Sequence, residues 1–198
     1  MLVLGGLLVG TTPLDGQMRV REGVWFGAGI GGGTGRVGCE ICASELQFGP
    51  SVTARFGGTL SSSLLLGVEG NGWVHYEGDE DAESAERRRL LAGLSVVMYW
   101  YPNAASGFFF KGGFGPVAFR LDDVRPLDED GERTTPFTST SLGGNVGIGY
   151  DLRVGNSLSI TPFFNYVGSL YGNLTRDDTN VSSANLTLLQ FGLGITRH

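Results

Sequence analysis

Two cysteines, Cys39 and Cys42, stand in a C-x-x-C spacing, and the chain's histidines are His75 and His198. Thiolates at that spacing serve zinc sites and redox centres. A zinc site needs four ligands, and both histidines lie far off in sequence. A thioredoxin-type centre needs a βαβ setting, which the flanking sequence does not offer. The pair therefore reads as a local disulfide or two free thiols in a surface loop, and no metal site is expected. Gly27-Ala-Gly-Ile-Gly-Gly32 matches G-x-G-x-x-G. The dinucleotide fingerprint requires a helix opening there, and Gly33-Thr-Gly-Arg-Val-Gly38 cannot form one, so no cofactor is expected. Asp128-Glu-Asp-Gly131 has the composition of a calcium loop. The first carboxylate of an EF-hand would fall five residues before the Gly, and that position is Pro126. A Ser–His–acid site would use His75, but no serine motif marks a nucleophile. No catalytic residue is expected, and the chain is read as not an enzyme.

The elements that must position these residues are strands. Strand-like runs recur at 23–33, 47–58, 64–76, 87–101, 107–121, 137–152, 158–170 and 184–197. Most are longer than the ~5–6 residues common in globular sheets and match the ~9–11 that a tilted strand needs to cross a bilayer. Their connections alternate. Those at 59–63, 102–106 and 153–157 are short, and those at 34–46, 77–86, 122–136 and 171–183 are longer and polar. Short turns at one end and long loops at the other are the pattern of an up-and-down membrane barrel.

Parity gives the facing. Leu64, Leu66, Val68, Val74 and Tyr76 oppose Glu69, Asn71 and His75. Leu90, Ala92, Leu94, Val96, Met98 and Trp100 oppose Arg89, Gly93, Ser95 and Tyr99. The polar faces are rich in Gly, Ser, Thr and Asn, where a solvent face would carry several Lys and Glu. That composition suits a narrow lumen filled by side chains, with the apolar face turned to lipid. Trp100, Phe108, Phe110 and Tyr150 near the short turns, and Tyr76 and Phe48 near the long loops, make two aromatic girdles. Arg55, Glu69, Lys111 and Asp151 all take inward parity in the half nearer the short turns. Buried charges must be paired, so they are expected to form an interior salt-bridge network that plugs the lumen.

Composition agrees with this reading. The 34 glycines disfavour helices, and no apolar run reaches the roughly 18 residues of a spanning helix. The net charge of −6, with acids concentrated at 77–86 and 122–132, argues against nucleic acid as a partner. The run Met1-Leu-Val-Leu-Gly-Gly-Leu-Leu-Val-Gly10 has the apolar core of an export signal without its basic start. Residues 1–22 are thus read as a signal-peptide remnant and N-terminal segment, and 23–198 as one eight-stranded antiparallel barrel.

With these features in view, the chain resembles the small outer-membrane β-barrel family that includes the OmpA transmembrane domain and OmpX. The resemblance rests on the strand pattern and on Gln190-Phe-Gly-Leu-Gly-Ile-Thr-Arg-His198. Gln190, Gly192 and Ile195 match the alternation of a barrel-assembly signal, while Arg197 and His198 depart from its terminal aromatic. The segments Trp73, Trp100-Tyr-Pro102 and Phe109-Phe-Lys-Gly-Gly113 are similar to those of glycine-rich bacterial barrels. The resemblance implies a bacterial outer-membrane location, with outer-membrane lipids and the barrel-assembly machinery as partners. The expected function is that of a monomeric surface scaffold with acidic extracellular loops and an unidentified extracellular partner. The competing expectations are a narrow porin-like conduit, for which inward glycines would leave the gap, an outer-membrane lipid-modifying enzyme, and a secreted barrel with the opposite facing.

Overall fold

The computed structural model describes residues 21–38, 46–77, 86–124, 137–170, 172–176 and 179–198. The strands are β1 (Val24–Gly38), β2 (Gln47–Ser61), β3 (Leu64–Glu77), β4 (Glu86–Trp100) and β5 (Phe108–Val124). They continue with β6 (Phe137–Tyr150), β7 (Leu152–Arg153), β8 (Leu158–Ser169), β9 (Gly172–Arg176) and β10 (Thr179–Arg197). All pairings are antiparallel. β9 prolongs the stave begun by β8, and two-residue β7 is a bracket on β8, which leaves eight staves. β1 pairs with β10 from Phe26↔Arg197 to Gly38↔Asn185, so the sheet closes on itself. Closure satisfies the backbone groups and leaves no edge, which is what a strand protein needs to sit in lipid.

The facing follows the parity in the sequence. Leu94, Val96, Met98 and Trp100 of β4 are about half exposed on the outer wall, as are Val52 and Phe56 of β2 and Phe191, Leu193 and Ile195 of β10. Ser51, Thr53, Arg55, Glu69, Asn71, Ser95, Thr161, Asn165 and Gln190 point into the lumen and are buried. An apolar band on the outer wall, with the buried charged and polar groups turned inward, is the inverse of a soluble barrel and marks a lipid-facing surface. Trp100 stacks on Phe110 at the short-turn end, with ring centroids 5.8 Å apart, and Phe48 meets Phe191 near the long-loop end at 6.3 Å.

Two expectations need correction. The strands run further toward the long loops than the glycine and polar content of 34–38 and 171–183 implied: β1 reaches Gly38, and β9 and the start of β10 lie inside 171–183. Here pairing with neighbouring strands overrides weak local propensity. The interior also holds more than glycine and small polar residues. Trp73, Leu91, Val117, Phe119 and Leu188 pack into one apolar cluster toward the long loops. Trp25, Leu65, Val97, Tyr99, Tyr101 and Phe109 form a second toward the short turns. Inward glycines accommodate them. A Cβ on Gly35 would fall 2.6 Å from the Trp73 ring, one on Gly57 2.8 Å from Trp25, and one on Gly149 2.4 Å from Phe109. The glycines at these points are thus the recesses into which large rings fit.

This complementarity predicts opposite outcomes at two glycines. Gly149→Val would overpack the Phe109 ring and is expected to cost about 1–3 kcal/mol. Gly112→Ala adds a methyl where nothing lies within 4 Å and should be neutral. Urea midpoints of the two folded variants, read by heat-modifiable gel mobility, would reveal the contrast. Equal midpoints would mean that the recess is not tightly filled.

Candidate functional site

The polar groups on the inward faces form the candidate site. Arg55 on β2 is the direct register partner of Glu69 on β3, and Lys111 on β5 is the partner of Tyr99 on β4. Glu69 is the hub. Lys111 Nζ makes a salt bridge to its Oε1, and the Tyr99 hydroxyl donates to Oε2. Asn71 Nδ2 and Asn145 Nδ2 donate to Oε1 at 3.0 and 2.8 Å. The Glu69 side chain is fully buried and that of Lys111 is 2% exposed. A carboxylate stripped of water is tolerable only with such a complement of donors. Gly147 provides the space, since a Cβ there would stand 2.7 Å from Lys111 Cε.

Arg55 turns elsewhere. Its Nη2 donates to Thr196 Oγ1, and its guanidinium lies 5.7 Å from the Tyr99 ring centroid and 5.8 Å from that of Phe109. A Cβ on Gly27 would be 2.8 Å from Arg55 Nε. The first glycine of the G-x-G-x-x-G match is therefore the recess for a guanidinium on the next strand. Thr196 and Thr161 share a hydrogen bond of 2.8 Å, and Thr161 Oγ1 donates to Asp151 Oδ1 at 2.7 Å. The Tyr101 hydroxyl donates to Asp151 Oδ2 at 2.7 Å, and His198 Nε2 lies 3.2 Å from the same oxygen. All four charges named from parity thus fall in one interior system. Glu69 and Lys111 are in direct contact, and Asp151 reaches Arg55 through two threonine hydroxyls.

Several participants are not marked by their residue type. Tyr99, Asn71 and Thr161 have inward parity, but nothing in sequence says which of the lumen groups they meet. Arg21 falls within the segment read as preceding the barrel. Its side chain is buried at the short-turn end, where it donates to the carbonyls of Ser62, Ala104 and Ser106 at 3.3, 3.1 and 2.7 Å and lies 3.6 Å over the Tyr101 ring. A cation next to Pro102-Asn-Ala-Ala is not a signal that sequence offers. His75 sits toward the long loops, its Nδ1 donating to the Phe48 carbonyl at 2.7 Å and its ring stacked on Trp73. Cys39, Cys42 and the Asp128–Gly131 stretch lie outside the described residues.

The arrangement joins buried charges of opposite sign through hydrogen bonds. Glu69 and Asp151 each accept several hydrogen bonds, and the Arg55 guanidinium and Lys111 ammonium lie near the Tyr99 ring. What it does chemically is neutralise and cross-link the lumen.

Solved structures share this fold. Ail, the attachment invasion locus protein of Yersinia pestis, in complex with the heparin analogue sucrose octasulfate, superposes with a TM-score of 0.57 at 12% identity, over 88% of this chain and 99% of that one. The Neisserial surface protein A gives 0.53 at 16% identity, over 89% and 99%. The outer membrane protein OprG of Pseudomonas aeruginosa gives 0.51 at 13% identity, over 92% and 100%. No protein-family model matches the chain, and no curated protein matches it in sequence. The likeness is one of fold: a small eight-stranded barrel of the outer-membrane type.

Proposed function

We propose that this chain is an integral barrel of a bacterial outer membrane that serves as a scaffold. It holds acid-rich loops at the cell exterior around a lumen that does not conduct. The observation that carries this reading is the filled lumen: the buried Glu69–Lys111 pair and its donors, between the Trp73 cluster and the Trp25 cluster. An eight-stranded barrel is just wide enough for side chains to fill it. The acid stretches 77–86 and 122–132 connect staves in the sequence at the long-loop end of the barrel. They favour an extracellular partner with a basic surface, unlike the sulfated ligand bound by Ail. With β1 paired to β10 the sheet has no free edge, which supports a monomer in contact with outer-membrane lipids after delivery by the assembly machinery. The reading assigns the barrel no reaction, because His75 is committed to the Phe48 carbonyl and the Trp73 ring.

Purified wild-type protein is expected to give no stable channels in planar bilayers. Stable single-channel openings would overturn the closed-lumen reading and put a narrow porin-like conduit in its place.

A further inference from the structure

The outer wall carries charge where a lipid-facing wall should carry little. Along β5 the outward residues Phe110, Gly112, Phe114, Pro116 and Ala118 are uncharged, and then come Arg120 and Asp122. On β4 the outward run Trp100 to Leu90 ends at Arg88. At about 3.3 Å per residue and a tilt of about 40°, the climb from Phe110 to Arg120 is about 25 Å, the height of the apolar band of an outer-membrane barrel. Arg120 thus stands at the upper edge of the hydrocarbon, and Arg88 and Asp122 just beyond it. Asp122 is the register partner of Arg88. Arg88 Nε and Nη2 donate to Asp122 Oδ2 at 3.2 and 2.6 Å, and Arg120 Nε donates to Oδ1 at 2.6 Å. The carboxylate is largely covered, with 13% of its side chain exposed, whereas Arg88 and Arg120 keep 42% and 52%. One acid fixes two guanidiniums side by side, leaving a net positive charge and outward N–H groups at the depth of lipid headgroups.

We propose that Arg88 and Arg120, held by Asp122, form a binding site for the phosphate of an anionic lipid in the outer leaflet. Guanidinium forks match phosphate oxygens in geometry and charge. The chain as a whole is acidic, so this site attracts an anion through local placement and not through net charge. The inference rests on the proposed orientation, with the long loops outward.

The test uses the full chain folded into phosphatidylcholine vesicles, with and without phosphatidylglycerol or lipopolysaccharide. Anionic lipid is expected to raise the urea midpoint of the wild type, since a guanidinium at an anionic surface is worth about fivefold in association. Arg88→Gln/Arg120→Gln should lose at least half of that rise, and Arg120→Gln alone a smaller part. Arg89→Gln removes the same charge from an inward residue paired with Glu77 and should keep the rise. Inorganic phosphate should produce none. The site would be overturned by no rise in the wild type, by a full rise in the double variant, by an equal loss in Arg89→Gln, or by free phosphate reproducing the effect. If the double variant does not insert, the single variant decides by the same criterion. Failure of the wild type to become heat-modifiable in phosphatidylcholine alone would instead remove the transmembrane reading itself.

Discussion

Leu94→Arg is expected to abolish assembly of the barrel into membranes, while Ser95→Ala, one residue away, leaves it intact. Leu94 is 54% exposed on the outer wall. It lies about 15 Å above Trp100 along β4, near the middle of a ~25 Å apolar band. A guanidinium there meets no acid and cannot reach either headgroup region with its own length. Arginine at the midplane of such a wall costs roughly 2–4 kcal/mol, a large part of the total stability of a typical domain. Ser95 points the other way, is 3% exposed, and is the register partner of Glu69. Glu69 takes its hydrogen bonds from Lys111, Tyr99, Asn71 and Asn145, so losing one hydroxyl nearby should be absorbed. Heat-modifiable mobility of membrane fractions measures both variants. A normally assembled Leu94→Arg protein would reverse the assignment of inside and outside.

The contrast between neighbouring residues shows what sequence could convey. In β4 the alternation is unbroken from Leu90 to Trp100, and a period of two can be read without knowing the partner strand. The end of β1 could not be read in this way. Thr34-Gly-Arg-Val-Gly38 looks like a loop because glycine weakens a strand, yet Gly35 faces the Trp73 ring and pairs with Leu188 of β10. Only the neighbouring strands make it a strand. The interior charges divide similarly. Parity placed Arg55, Glu69, Lys111 and Asp151 in the lumen, because facing is a property of one strand. Pairing is a property of the whole barrel. Arg55 stands next to Glu69 in register and looks like its natural partner, but the recess at Gly27 draws its guanidinium toward Thr196, two strands from β2 across β1. Lys111, on the far side of β4 from Glu69, reaches the carboxylate through the lumen. Cross-lumen contacts of this kind leave no trace in the spacing of a single strand.

Glu69→Gln is therefore expected to lower the urea midpoint more than any other single change among the four charges. Gln cannot neutralise Lys111, whose ammonium would remain buried at a position 2% exposed. An unpaired buried charge of this kind costs about 3–5 kcal/mol. Lys111→Gln should cost less, because Glu69 would keep the hydroxyl of Tyr99 and the amides of Asn71 and Asn145 as donors. Combining the two changes removes both charges at once, and the double variant should be more stable than the sum of the single costs predicts. The coupling between contacting charged residues is typically about 0.5–3 kcal/mol. A second cycle, with Arg55→Gln in place of Lys111→Gln, should show weaker coupling, since Arg55 donates to Thr196 and meets Glu69 through the ring of Tyr99. Strict additivity in the Lys111 cycle would mean that the pair does not act as a unit and that the lumen is held by its two apolar clusters alone. Stronger coupling to Arg55 than to Lys111 would restore the pairing that strand register by itself implies. The two cycles thus separate a lumen cross-linked through Glu69 from one in which the charges are merely neighbours.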